Sequence, residues 1–319
     1  MLVTKASKIS LIYERYNAVF YAYTFLILFV IVFSIFFPVF RGHRNISNIL
    51  VQITPLAIIA IGQTIVLIGG GVDLTIGAVI SVTTVIAANF MGNSISEIFL
   101  GLLFIFGVAI FIGFVNGVVC NETNIPPLIA TLGMANIVKG LNLLYKREPG
   151  GQIPDGLSNF ILYKFSIFST SIIIVIILYL FFIFFLSRSK FGLYTYAIGG
   201  NETYARMAGV NIKKVRIGTY IISAILASIA GIVIGSRTGS GSPLVGDGFL
   251  MDSLTAAIVG GTGFAGGSGF VVGAFAGASI VAIMSNALNI SDVTPFYQYI
   301  AKGSILLVAM IINSQRKRK

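Results

Sequence analysis

Asp73 is a carboxylate in greasy surroundings. It follows Gly69, Gly70 and Gly71 in the stretch GQTIVLIGGGVDLTIGAVISV (62–82) and precedes an apolar run. An aspartate at the centre of a bilayer costs about 2.5–3.5 kcal/mol on insertion scales, so its presence needs a reason. It can cap a helix at a break by accepting backbone N–H bonds. It can also act in a solute pathway, binding hydroxyls or gating. The two roles coexist, because broken helices are tolerated in membranes only where they are buried in protein or line a cavity. Gln63, Asn116, Thr131 and Asn136 are further polar groups inside apolar runs. Such side chains fasten helices to one another, and they are the other candidates for a translocation pathway. The only histidine, His43, lies beside Arg41 and Arg44 without a companion for metal binding or proton transfer. Cys120 is the only cysteine, so there is no intrachain disulfide framework. No nucleophile–base pair or metal-ligand cluster stands out, which leaves an intramembrane enzyme unsupported.

A pump needs fuel, and this chain supplies none. The phosphate-cradling pattern G-x-x-x-x-G-K-[ST] is absent, and the dipeptide Gly-Lys never occurs. The scatter of intramembrane carboxylates that ion coupling tends to need is missing too.

The elements that must position these groups are membrane helices. Of 319 residues, 56% are hydrophobic and 10% are charged, against roughly 25% charged in soluble domains. Runs of about 20 apolar residues, the length that crosses a bilayer as a helix, recur along the chain. The fold class is all-α, a polytopic membrane helical bundle in a single domain, 1–319. Ten crossings are expected, roughly at 18–39, 47–70, 74–92, 98–120, 125–143, 161–186, 215–236, 252–266, 269–288 and 296–314. Two Gly-rich segments, 62–82 and 256–278, interrupt apolar stretches. Paired interruptions in two halves suggest a duplicated transporter core, although small residues also serve close helix packing.

The net charge of +11 would suggest nucleic acid as a partner of a soluble protein. Here the charge is clustered, and the clusters fit membrane orientation instead. Lys5, Lys8, Arg15, Arg188, Lys190, Lys213, Lys214, Arg216 and the tail Arg316–Lys319 fall on one side. Arg41, Arg44, Lys146, Arg147 and Arg237 fall on the other. Both termini, 1–17 and 315–319, are thereby expected in the cytoplasm, together with the segment 190–214.

That segment contains AIGGNETYARMAGVNIKKVR (197–216), a polar island between two apolar runs. Asn201 can cap a helix start, Glu202 suits the first turn, and Gly209 suits the left-handed residue that ends a helix. A two-turn helix over Glu202–Ala208 is expected. It is too short to stand alone, so it either lies on the lipid surface or docks to a partner. Tyr204, Met207 and Ala208 offer an apolar surface, and Ala205 leaves room for another backbone.

FGLYTYAIGGNETYARMAGVNIKKVR (191–216) resembles the cytoplasmic coupling segment of permease subunits of ribose-, galactoside- and xylose-type sugar ABC importers. The E-x-x-A-x-x-x-G register is met by Glu202, Ala205 and Gly209. GGGVDLTIGAV, PPLIATLGMANIVKGL (126–141), the glycine block 239–273 and VTPFYQYIAKGSILLVAMII (293–312) resemble the same family in the same order. Thr75 and Ile76 replace the usual Ser and Val. The resemblance implies that Gly199, Gly200, Asn201, Glu202, Ala205, Arg206 and Gly209 couple to a separate ATPase subunit, which would hold ATP and Mg. It also implies a second permease chain, an extracytoplasmic solute-binding protein and a place in the bacterial cytoplasmic membrane. The expected cargo is a monosaccharide of the ribose or galactose type. Nucleosides and other small polar solutes travel through relatives and stay open as alternatives, as does a passive channel or secondary carrier, which would not need a coupling helix.

Overall fold

A computed structural model describes residues 8–165 and 168–316. The basic residues Lys5, Lys317, Arg318 and Lys319 lie outside the described residues. The chain is helical almost throughout: α1 (Lys8–Phe36), α2 (His43–Ile68), α3 (Ile76–Phe90), α4 (Ile95–Glu122), α5 (Pro127–Tyr145), α6 (Asp155–Leu162), α7 (Thr170–Arg188), α8 (Lys190–Gly200), α9 (Glu202–Met207), α10 (Ile212–Thr238), α11 (Asp247–Val259), α12 (Val271–Ile290) and α13 (Pro295–Arg316). A minimal antiparallel pair, β1 (Lys164–Phe165) and β2 (Phe168–Ser169), precedes α7.

Seven of these helices, α2, α4, α5, α7, α10, α12 and residues 16–36 of α1, are long and apolar enough to cross a membrane. Helix α3 and residues 296–311 of α13 are apolar but shorter, and α11 has 13 residues. Among the described residues, helix length and composition thus assign seven of the ten expected crossings. Helices α3 and α11 are short because the backbone leaves helical geometry at 69–75, before α3, and at 239–246 and 260–270, on either side of α11.

Composition does not reveal which helix lies inside. Both α1 and α2 are apolar, yet 83% of the most apolar stretch of α2 is buried against 6% of that of α1. Helices α2, α10 and α12 form the interior, and α10 packs most extensively on α4, α2 and α3. Gly113 and Gly117 set the spacing of α4 and α10. A Cβ on Gly113 would stand 2.7 Å from the Ile221 Cα, and one on Gly117 2.5 Å from the Ile217 Cα. Small residues four apart let helix backbones approach in this way.

Candidate functional site

The break between α2 and α3 is closed by a polar network. Asp73 Oδ1 accepts hydrogen bonds from the Thr75 backbone N–H at 2.9 Å and from the Thr75 hydroxyl at 2.5 Å. Ser223 on α10 donates its hydroxyl to Asp73 Oδ2 at 2.7 Å. Asn116 on α4 donates to the Thr75 hydroxyl at 2.9 Å. Thr131 on α5 accepts from the Leu74 N–H at 3.2 Å, and its hydroxyl lies 3.2 Å from the Val72 carbonyl and 2.8 Å from that of Pro127. Tyr220 donates to the Val72 carbonyl at 3.3 Å. Asp73 is buried, and three donors satisfy its two oxygens. The unwound turn is thereby fastened to α4, α5 and α10 at once.

Asp73, Asn116 and Thr131 therefore meet in one place. Gln63 is fully buried on α2, and both its amide atoms lack a partner among the described residues. Asn136 lies apart from the network, exposed on α5.

At the end of the bundle that carries α8 and α9, local signals build the short helix. Asn201 accepts from the Tyr204 N–H at 3.1 Å. Gly209 takes φ +80°. Its N–H donates to the Arg206 carbonyl at 3.0 Å and the Val210 N–H to the Ala205 carbonyl at 3.1 Å. This is the paired bonding of a Schellman cap, and Ala205 and Val210 supply its apolar contact. The helix ends at Met207, one residue before the expected Ala208.

Ala205 is buried against Ile198, Val210, Ile212 and Val215 of its own chain. It spaces α9 on α8 and α10, and the face left outward carries Tyr204 and Met207, 71% and 79% exposed. Glu202 pairs with Arg206 at 2.9 Å and with Arg216 of α10 at 2.6 Å. Hydrogen bonding from Arg216 holds the Glu202 carboxyl below its ordinary range. Partial burial opposes this, and Arg206 adds to the lowering. Lys213 pairs with Glu122 at the end of α4 at 2.7 Å. The basic start of α10 thus has two acidic partners besides any part in orientation.

Gly199 and Gly200 close α8 against the protein's own backbone. A Cβ on Gly199 would overlap the Ile68 carbonyl oxygen and the Gly267 nitrogen. One on Gly266 would stand 2.8 Å from the Gly199 carbonyl oxygen and 2.9 Å from the Gly70 Cα. The Gly267 N–H donates to the Ile68 carbonyl at 2.9 Å, and the Tyr196 hydroxyl to the Gly269 carbonyl at 2.7 Å. Both Gly-rich segments and the end of α8 therefore meet backbone to backbone, beside the α9 platform.

Sequence reasoning overlooked two ion pairs. Lys139 on α5 pairs with Asp247 on α11 at 2.6 Å, and Asp252 on α11 with Lys302 on α13 at 2.7 Å. The signal was available, since Lys139 and Lys302 lie inside expected spans and intramembrane charges mark functional sites by default.

A family model described as branched-chain amino acid transport system / permease component matches residues 45–310. The chain belongs to this family. It is therefore a membrane-embedded transport component. It is 32% identical over 299 residues to the ribose import permease protein of Escherichia coli strain K12, covering 92% of each chain. It is 32% identical over 301 residues to the galactose/methyl galactoside import permease protein of Haemophilus influenzae, covering 88% of this chain and 90% of that one. It is 29% identical over 301 residues to the fructose import permease protein of Rhizobium meliloti, covering 90% and 84%. No solved structure matches the chain.

Proposed function

We propose that the chain is the permease of an ATP-driven importer that carries a monosaccharide, of the ribose or galactose type, across the bacterial cytoplasmic membrane. The names of its relatives support the cargo class. The observation that carries the mechanism is the continuous line of contacts from α9 to the Asp73 turn. Helix α9 presents Tyr204 and Met207 outward and is locked to α10 by Glu202–Arg216. Helix α10 then reaches Asp73 through Ser223. An ATPase subunit holding ATP and Mg would seat α9, and its closure would move α10 and the unwound turn as one body. The α9 end then faces the cytoplasm, with both termini on that side. A second permease chain and an extracytoplasmic binding protein complete the assembly. No bond in the solute changes.

The test is co-expression with an ABC-type ATPase subunit from the same genome. Wild type should co-purify with it, and the complex in proteoliposomes should take up ribose or galactose only with ATP inside. Glu202→Lys and Gly209→Trp should lose the ATPase while remaining folded. Sugar uptake without ATP, ATP-driven uptake of a branched-chain amino acid in place of sugar, or equal ATPase retention by both variants would overturn the reading.

A further inference from the structure

Residues 239–246 leave the end of α10 and run down between α3 and α5 instead of over the end of the bundle. Gly241 exchanges backbone bonds with Gly150 at 2.8 and 3.1 Å. The Ser242 N–H donates to the Thr84 hydroxyl at 3.2 Å, and that hydroxyl lies 3.1 Å from the Ser242 carbonyl. Asn142 donates to the Pro243 carbonyl at 3.3 Å, and the Gly246 N–H donates to the Ser81 hydroxyl at 2.9 Å. Thr84 and Ser81 are successive rungs on one face of α3. At 1.5 Å per residue, Ser81 lies roughly 14 Å along α3 from its end at Phe90. Half the hydrocarbon core is about 15 Å. With the Phe90 end of α3 at the membrane surface, helix α11 begins at Asp247 near mid-membrane depth.

Non-helical backbone at that depth is tolerated only where it is buried in protein or lines a water-filled cavity. One side of this segment is held by α3 and α5. The other side is open: Leu244 is 45% exposed, and the side chains of Lys139 and Asp247 are 36% and 50% exposed. A charge pair open to hydrocarbon would be costly. Asn136 lies one turn from Lys139 on α5, also exposed. A Cβ added at Gly133 or Gly140 would meet nothing within 4 Å.

We propose that the re-entrant segment 239–246 and the Lys139–Asp247 pair line a water-filled cleft and form a station for a neutral polyhydroxylated solute. The Lys139 ammonium donates to a solute hydroxyl and the Asp247 carboxylate accepts from a neighbouring one. The pair has no net charge, which suits a neutral sugar and does not retain an anion. The station rests on the sugar reading above; the cleft does not.

The cleft is tested in a Cys120→Ala chain, which has no other cysteine. Leu244→Cys and Asn136→Cys in membrane vesicles should react with a charged methanethiosulfonate reagent about tenfold or more faster than Ile177→Cys, whose parent side chain is exposed on the apolar surface of α7. Equal rates at the three positions overturn the cleft. The station is tested by sugar uptake of the assembled importer. Lys139→Met/Asp247→Leu should raise the KM for ribose or galactose about tenfold or more, the loss of two charge-assisted bonds. The exchanged pair Lys139→Asp/Asp247→Lys should recover part of it. An unchanged KM in the first variant, or no recovery in the second while both are retained by the ATPase, overturns the station. A wild-type complex that transports neither sugar defeats the sugar reading and the station, while the labelling rates still decide the cleft.

Discussion

Replacing Ser223 with alanine removes one donor from a buried carboxylate and leaves the packing of α10 otherwise intact. Ser223 donates to Asp73 Oδ2 at 2.7 Å, 150 residues away in sequence. It stands directly against Gly62 of α2, where an added Cβ would lie 2.9 Å from the Ser223 Cα. A hydrogen bond to a charged group is worth about 1.5–3 kcal/mol, and this bond ties the unwound turn to α10. The chain supplies its own reporter. Cys120, its only cysteine, is buried with Val66 and Tyr220 where α2, α4 and α10 meet. A thiol-reactive dye reaches it only when that region opens, and its labelling rate tracks the open population when closing is fast. Ser223→Ala should therefore speed labelling of the detergent-solubilised protein by about 10- to 150-fold. In an Asp73→Asn background the same substitution should cost only a neutral bond, about 1 kcal/mol, so the double-mutant cycle should show coupling. A wild-type labelling rate for Ser223→Ala, or strict additivity in the cycle, would refute the argument that this bond holds the turn.

Gly209 has φ +80° and open space around its Cα. Gly209→Val should cost at least about 1–2 kcal/mol in the left-handed conformation, enough to fray α9 and weaken ATPase co-purification. Gly209→Asn should be retained better, because asparagine tolerates that conformation. Gly199→Val should speed Cys120 labelling, because its Cβ has no room between the Ile68 carbonyl and Gly267; a wild-type rate would mean the glycine junction yields freely. The Glu202 carboxyl is lowered in the folded chain, chiefly by its bond from Arg216. Its contribution is present above the ordinary glutamate value of about 4.3 and is lost as pH falls through the lowered folded value. Amide exchange over Glu202–Val210, corrected for intrinsic rates, should be flat from pH 8 to about 5 and rise below that. A rise centred near neutral pH would assign the α9 contact to another group. With the Arg206 and Glu202 side chains 72% and 41% exposed, the effect is modest.

The sequence alone determined what depends on neighbouring residues. Asn201 and Gly209 specify both ends of α9, because caps bond within one turn. Apolar runs fix a membrane helical bundle, because the length and polarity of a span do not depend on what packs beside it. Five motifs in order indicate the family. Tertiary structure decided the rest. Helices α1 and α2 are both apolar enough to cross a membrane, so hydropathy cannot report that one is peripheral and the other central. Asp73 could be read as a cap or a pathway group. Only the fold shows that Thr75 and Ser223 satisfy it and that Asn116 reaches it through Thr75. Ala205 looked open to a partner until α8 and α10 covered it. The residues 239–246 look like an ordinary outer loop, since Ser, Pro and Gly suit one. What draws them into the bundle are donors and acceptors on α3 and α5, Ser81, Thr84 and Asn142, roughly 100 to 165 positions away. Long-range pairing of this kind leaves no local pattern, because each partner is a common polar residue until the fold places it opposite an unpaired backbone group.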